Sequence, residues 1–211
     1  MLRRHLLARP TRDGWRRLCA GDWDAGARAC LEHWAQSDLP LVVTRRHGEP
    51  GIRLGLPVPR AWGRRHLTMR LPAAAIATWD EFPPARAIAP LLALPLQGHW
   101  LDLCGRLEPA CRSVRVYGSH GWQWITGLPY LHEQSDLDLL IAVDGTGQAE
   151  RVCELLAAAP PARPRLDGEL VFGDGAGIAW REWLQWRRGG ARQMLVKRLD
   201  AVALETWPEP C

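Results

Sequence analysis

Two carboxylates separated by one leucine, Asp136-Leu137-Asp138, head the apolar run Leu139-Leu140-Ile141, and this pattern restricts the local fold more than any other stretch. Successive strand residues point to opposite faces, so Ser135 to Val143 reads as a strand with both acids on one face and Leu137, Leu139 and Ile141 on the other. The apolar face anchors the strand in a core, which gives the acids a rigid platform. Sixteen residues separate Asp136 from a second signal, Gly118-Ser119. There the alternating segment Ser113 to Tyr117 ends as a strand, and Ser119 is placed to cap a helix running to Gly127.

The chemistry follows from that pairing. Carboxylates at i and i+2 on a strand can hold hard divalent cations through oxygen ligands. A strand that ends in Gly-Ser and opens a helix offers free backbone N–H groups and a hydroxyl to phosphate oxygens. Metal and phosphate seats side by side point to phosphoryl or nucleotidyl transfer. Each half alone is weak, because a DxD strand is more often a solvated face and a Gly-Ser turn is usually only a turn. Their order, strand, Gly-Ser, helix, then strand with DxD, carries the reading.

Around this centre the pattern predicts a helix over Asp24 to Gln36, with Ala27, Cys30, Leu31 and Trp34 at helical spacing, followed by a strand at Leu41-Val42-Val43. Gly and Pro density from Gly48 to Gly63 predicts short strands and turns. Ala85 to Leu94 reads as a helix closed by Gln97-Gly98. In the C-terminal half, a helix is expected over Gly147 to Ala158 and strands over Glu169 to Phe172 and Ile178 to Trp183. A further helix is expected from about Asp200. The change to regular strand and helix alternation places a domain boundary near residue 105, giving an N-terminal domain over 1–105 and a catalytic domain over 106–211.

Composition excludes several classes. An apolar fraction of 47% and a charged fraction of 24% suit a globular protein that needs no disulfides to form a core. The six cysteines form no CxxC, so they read as buried small residues in a reducing compartment. No apolar run suits a signal segment or a membrane span, so a cytoplasmic location is expected. Residues 1–105 hold 15 arginines against 9 acids, whereas residues 106–211 hold 12 basic residues against 14 acids. The N-terminal arginines, among them Arg45, Arg46, Arg53, Arg60, Arg64 and Arg65, therefore suit an anionic partner, although an Arg-rich sequence bias explains them equally well.

Val116-Tyr117-Gly118-Ser119, Trp122-Gln123, Thr126-Gly127, Tyr130-Leu131 and Ser135-Asp136-Leu137-Asp138-Leu139-Leu140 resemble the malonate decarboxylase holo-[acyl-carrier-protein] synthases. These are also called phosphoribosyl-dephospho-CoA transferases, within the DNA polymerase β-like nucleotidyltransferase superfamily. The resemblance extends more loosely to Pro40–Val43, to Asp167-Gly168-Glu169, to Trp180-Arg181-Glu182 and to Val196-Lys197.

The resemblance implies an α+β fold, with a nucleotidyltransferase-type mixed sheet and flanking helices in the C-terminal half after a smaller α/β domain. It implies Asp136 and Asp138 as ligands of Mg²⁺, or of Mn²⁺, and Gly118 and Ser119 as the seat of the departing phosphates. A third acid is implied on a neighbouring strand: Glu169 is favoured because Leu170 follows it directly, and Asp167 fits a turn. Lys197, the sole lysine, can reach a phosphate as a point charge. His120 and His132 read as surface residues. The implied partners are triphosphoribosyl-dephospho-CoA and the apo acyl-carrier subunit of malonate decarboxylase, with neither membrane nor nucleic acid. Two alternatives stand beside this reading: a nucleotidyltransferase that uses an ordinary nucleoside triphosphate, and a basic binding module without catalysis.

Overall fold

The computed structural model describes residues 2–46, 48–160 and 163–206, and these form two compact units, each with its own core and sheet. The N-terminal unit runs to Phe82 and also takes in residues 125–130 and 199–201. Its strands are β1 (Leu7–Pro10), β2 (Leu41–Val43), β3 (Ile52–Pro57), β4 (His66–Leu71) and β5 (Ile76–Asp80), in the order β4-β3-β2-β1-β5 with every pairing antiparallel. Two helices, α1 (Arg12–Cys19) and α2 (Ala25–Gln36), accompany them. The α2 start is fixed chemically: the Asp24 carboxylate accepts the Ala27 N–H at 2.9 Å, satisfying one of the free donors of the first turn. Ala27, Cys30, Leu31 and Trp34 then fall on the buried stripe, as the spacing predicts.

In the second unit α3 (Leu94–Leu107), β6 (Ser113–Val116), α4 (Gly118–Thr126), β7 (Leu137–Ala142), α5 (Thr146–Ala157), β8 (Leu166–Val171), β9 (Gly177–Ala179), α6 (Trp180–Arg187), β10 (Met194–Lys197) and β11 (Val202–Glu205) follow in order. Their sheet runs β11-β10-β9-β8-β7-β6, with β7 and β8 parallel and all other neighbours antiparallel. This is the mixed sheet of an α+β fold. The parallel pair is joined through α5, whose Ala149, Val152, Cys153 and Leu156 are buried in the same core as Leu137, Leu139 and Ile141.

Four local expectations are corrected. Gly98 does not end a helix: Ala85–Leu91 is a 3-10 stretch, and α3 continues through Gly98. That glycine faces open space, so it costs about 1 kcal/mol of propensity, which burial of Trp100, Leu103, Cys104 and Leu107 outweighs. The segment expected as a strand over Ile178 to Trp183 is extended only to Ala179, then turns helical so that Trp180 and Trp183 share a buried face. Strand β8 begins at Leu166 rather than Glu169. After Asp200 the chain forms an edge strand, not a helix, zipped to β10 in the register Met194↔Glu205 to Lys197↔Val202. The units also divide at Phe82 rather than near residue 105, because α3 belongs wholly to the second core.

Among the described residues no helix is long and apolar enough to cross a membrane. Five described cysteines are free thiols; Cys30, Cys104, Cys111 and Cys153 are buried, and burial pushes their ionisation up to between about 11 and about 12. These four are packing residues, as the sequence suggests, whereas Cys19 is half-buried and Cys211 lies outside the described residues.

Candidate active site

Strands β6 and β7 pair in the register Val116↔Leu139, and the Tyr117 N–H donates to the Asp138 carbonyl at 3.0 Å. The chain leaving β6 therefore passes directly beside Asp138. Gly118 adopts a positive φ of 61° there, and a Cβ at this position would overlap the Asp138 carboxylate, lying 2.9 Å from its Cγ. Only glycine combines that backbone with that approach. Helix α4 starts at Gly118, so Ser119 lies within the first turn and is not the cap the sequence suggests. Gly121 N–H is the one that reaches back to the Tyr117 carbonyl. The preceding N–H groups of the helix start carry its positive dipole end beside Asp138. Ser119 is half-buried, and among the described residues its hydroxyl makes no hydrogen bond.

The acids gather on one sheet face. Parallel pairing sets Asp138 opposite Asp167 and Leu140 opposite Glu169, so Asp136, Asp138, Asp167 and Glu169 share a side of β7 and β8. Gly168 makes this register possible: at φ 140° it passes so close to Leu139 that a Cβ would sit 2.6 Å from the Leu139 amide nitrogen. The Arg165 guanidinium bridges two of the acids, 2.6 Å from Asp136 Oδ2 and 3.3 Å from Asp167 Oδ2. Hydrogen bonding from Arg165 holds the Asp136 carboxyl below its ordinary range. Asp138 behaves oppositely: burial, then the charges of Asp167 and Asp136, push it up to about 6.

Glu169 is the other buried acid, and its circumstances differ. Its side chain is 5% exposed, and Lys197 Nζ lies 2.7 Å from Oε1. Lys197, expected as a phosphate contact, is thus engaged by Glu169. The structure sets Asp167, expected in a turn, within strand β8 across from Asp138, whereas Glu169 lies across from Leu140. The signal for Asp167 was present, since Asp167 and Glu169 repeat the i, i+2 spacing of Asp136 and Asp138. His120, expected on the surface, is 4% exposed, and its Nδ1 lies 3.0 Å from the Asp136 carbonyl. A carbonyl only accepts, so Nδ1 carries the proton; burial lowers the ring's tendency to charge. His120 therefore props the turn that carries Asp136. His132 is exposed, as expected.

Asp136, Asp138 and Asp167 present an oxygen-only donor set that suits a hard divalent cation. Among the described residues no three metal-binding side chains are gathered around one point, and Arg165 instead ties Asp136 to Asp167. Asp138 is crowded by like charges that Arg165 offsets only in part, so it is the carboxylate a cation would relieve. The donor types suit such an ion, and binding at Asp136 requires Arg165 to release that carboxylate.

Comparison with known proteins gives a consistent result. Residues 84–208 match the family described as phosphoribosyl-dephospho-CoA transferase MdcG C-terminal domain, and residues 3–82 match the corresponding N-terminal domain. A phosphoribosyl-dephospho-CoA transferase of Bradyrhizobium diazoefficiens is 34% identical, with 95% of this chain and 88% of that protein covered. One from Xanthomonas campestris pv. campestris is 36% identical, over 88% of this chain and 89% of its own. A third, from Pseudomonas aeruginosa, is 29% identical over 78% of this chain and 77% of its own. No solved structure matches.

Proposed function

The chain belongs to the phosphoribosyl-dephospho-CoA transferase family and is a transferase, and from that premise we propose that it loads the phosphoribosyl-dephospho-CoA group onto a serine of the malonate decarboxylase acyl-carrier subunit. The donor is the triphosphate of that group. The serine oxygen forms a bond to the α-phosphorus, the bond from that phosphorus to the bridging oxygen breaks, and pyrophosphate departs with the electron pair. Asp167, opposite Asp138, takes the serine proton.

One observation carries this reading: the α4 start and the Asp138 carboxylate are in direct contact at Gly118. A polyphosphate seated on the N–H groups and the Ser119 hydroxyl would lie against that carboxylate, which is tolerable only with a cation between them. Asp136 and Asp138 would hold a divalent ion of the Mg²⁺ or Mn²⁺ class, which when bound neutralises phosphate charge. Ser119 and the helix start orient the leaving phosphates. His120 fixes the turn at Asp136, and the Glu169–Lys197 pair holds β8 to the β9–β10 side of the sheet.

Carrier recognition is assigned to the basic N-terminal unit. Arg46 pairs with Asp200, at 2.6 and 2.9 Å, and Arg65 with Asp24, so the steering charge is assigned to Arg45 and Arg60. Steering of this kind acts on association rate and weakens with salt.

Substrate choice is tested by incubating apo carrier with the chain, Mg²⁺ and either triphosphoribosyl-dephospho-CoA or ATP, then weighing the carrier. The proposal expects the mass of one phosphoribosyl-dephospho-CoA group, abolished by replacing the carrier serine with alanine. An adenylyl adduct from ATP alone would assign the chain to ordinary nucleotidyl transfer.

A further inference from the structure

The helical side of the second unit contains a cavity of about 1020 Å³ between α3, the end of α5 and α6. Its wall is apolar, formed by Leu96, Trp100, Leu103, Leu156 and Leu184 with Leu137 and Leu166 at the strand starts. Its rim is strongly basic. Arg106, Arg163, Arg165, Arg181 and Arg188 line it against a single acid, Asp102. Arg106 and Arg188 are exposed and, among the described residues, enter no ion pair. Arg181 stacks over Trp180 at 4.3 Å and donates to the Leu166 carbonyl at 2.9 Å, so it is held in place. Arg165 connects the cavity to the acids, because the same guanidinium that lines the wall lies 2.6 Å from Asp136.

An apolar cavity of this size is typical of small-molecule sites. Five arginines against one acid at the mouth of an apolar wall, with only Arg165 among them committed to Asp136 and Asp167, call for an occupant with two parts: a long, weakly polar body and a phosphate-bearing section. A plain hydrocarbon satisfies only the wall, and inorganic phosphate only the rim. Dephospho-CoA satisfies both, having a pantetheine arm, an adenine ring and a diphosphate between them. Guanidinium groups match diphosphate oxygens by bidentate hydrogen bonding, and arginine faces stack on an adenine.

We propose that this cavity is the seat of the dephospho-CoA portion of the donor, with the arm along the α3–α6 wall and the diphosphate on Arg106 and Arg188. The assignment rests on the transfer reading above, and it adds a binding site separate from the phosphate seat at α4. Arg165 at the shared edge lets the remaining, triphosphate-bearing part of the donor reach the acids.

Calorimetric titration of the full chain with 3′-dephospho-CoA, in chelator without divalent ions, isolates the cavity because this probe lacks the triphosphate. The expected result is saturable binding, weakened at least tenfold by Arg106→Glu with Arg188→Glu and by Leu184→Trp, which fills the wall. Asp138→Asn should leave this binding unchanged. Arg106 and Arg188 are exposed, so their reversal leaves folding intact, checked by an unaltered thermal midpoint. Absence of binding to the unaltered chain, or equal binding by it and the pocket variants, overturns the proposal, as does displacement by apo carrier in place of dephospho-CoA. Failure of the transfer reading is separate: it would appear as no carrier modification by the unaltered chain with probe binding intact.

Discussion

Glu169 and Asp138 lie on adjacent parallel strands of one sheet face, yet their surroundings are opposite. Glu169 is almost fully enclosed and has a cation, Lys197, at 2.7 Å. Asp138 is half-buried, and burial, then the charges of Asp167 and Asp136, push its ionisation up to about 6. A buried charge with its counter-charge in place is complete as folded. A buried charge crowded by its own sign carries a standing repulsion, and such repulsion persists in a fold where a ligand relieves it. The contrast separates an acid that holds the sheet together from one that is kept ready for a partner.

The largest expected effect falls on catalysis. Asp138→Asn should reduce carrier modification by at least the order of 10³-fold, since it removes a charge-stabilising group at the reacting phosphate. The double change Glu169→Gln with Lys197→Met removes a charge pair as a unit and should retain measurable transfer. Comparable loss from both, with both variants folded, would erase the distinction between the two acids.

On stability the order reverses. Lys197→Ala leaves the Glu169 carboxylate buried without its cation, and breaking one side of a buried pair costs about 3–5 kcal/mol. Urea unfolding at pH 7 measures it, and a loss below about 1 kcal/mol would mean that Glu169 is held by other partners.

Smaller still is the effect of Asp138 on the metal-free fold. Its folded ionisation, at about 6, lies above the ordinary 3.8. A raised carboxyl therefore contributes stability below about pH 4 and loses it as pH rises through about 6. Asp138→Asn escapes that loss, so the difference between variant and unaltered chain should grow from near zero at pH 4 to about 1–3 kcal/mol in the variant's favour at pH 7. A difference that does not change with pH would show that Asp138 is not crowded.

Elements with local signals were legible in the sequence. The Asp24 cap and the 27-30-31-34 stripe define α2, and the 113–117 strand, Gly118-Ser119 break and Asp136–Ile141 alternation give β6, α4 and β7 within a residue or two. Elements defined by distant partners were not. The Trp180–Trp183 spacing suits a helix only because both rings find the core, and Val202–Glu205 is extended only because β10 is beside it. Gly98 reads as a stop, yet solvent on its side lets α3 pass. The same division runs through the site. Asp136, Asp138 and Gly118 stand out by spacing, whereas Arg165, the burial of His120 and the Asp167–Asp138 register depend on how β7 and β8 align. Gly168 hid that alignment, although it is what allows the two strands to approach.

Cation binding compares the two acids most directly. Mn²⁺ titrated into the unaltered chain, the Asp138→Asn variant and the Glu169→Gln, Lys197→Met double variant can be followed by loss of the free-ion electron paramagnetic resonance signal. The account predicts saturable binding by the unaltered chain, its retention in the double variant and its loss in Asp138→Asn. Equal Mn²⁺ binding by the unaltered chain and Asp138→Asn, or loss of binding only in the double variant, would contradict it.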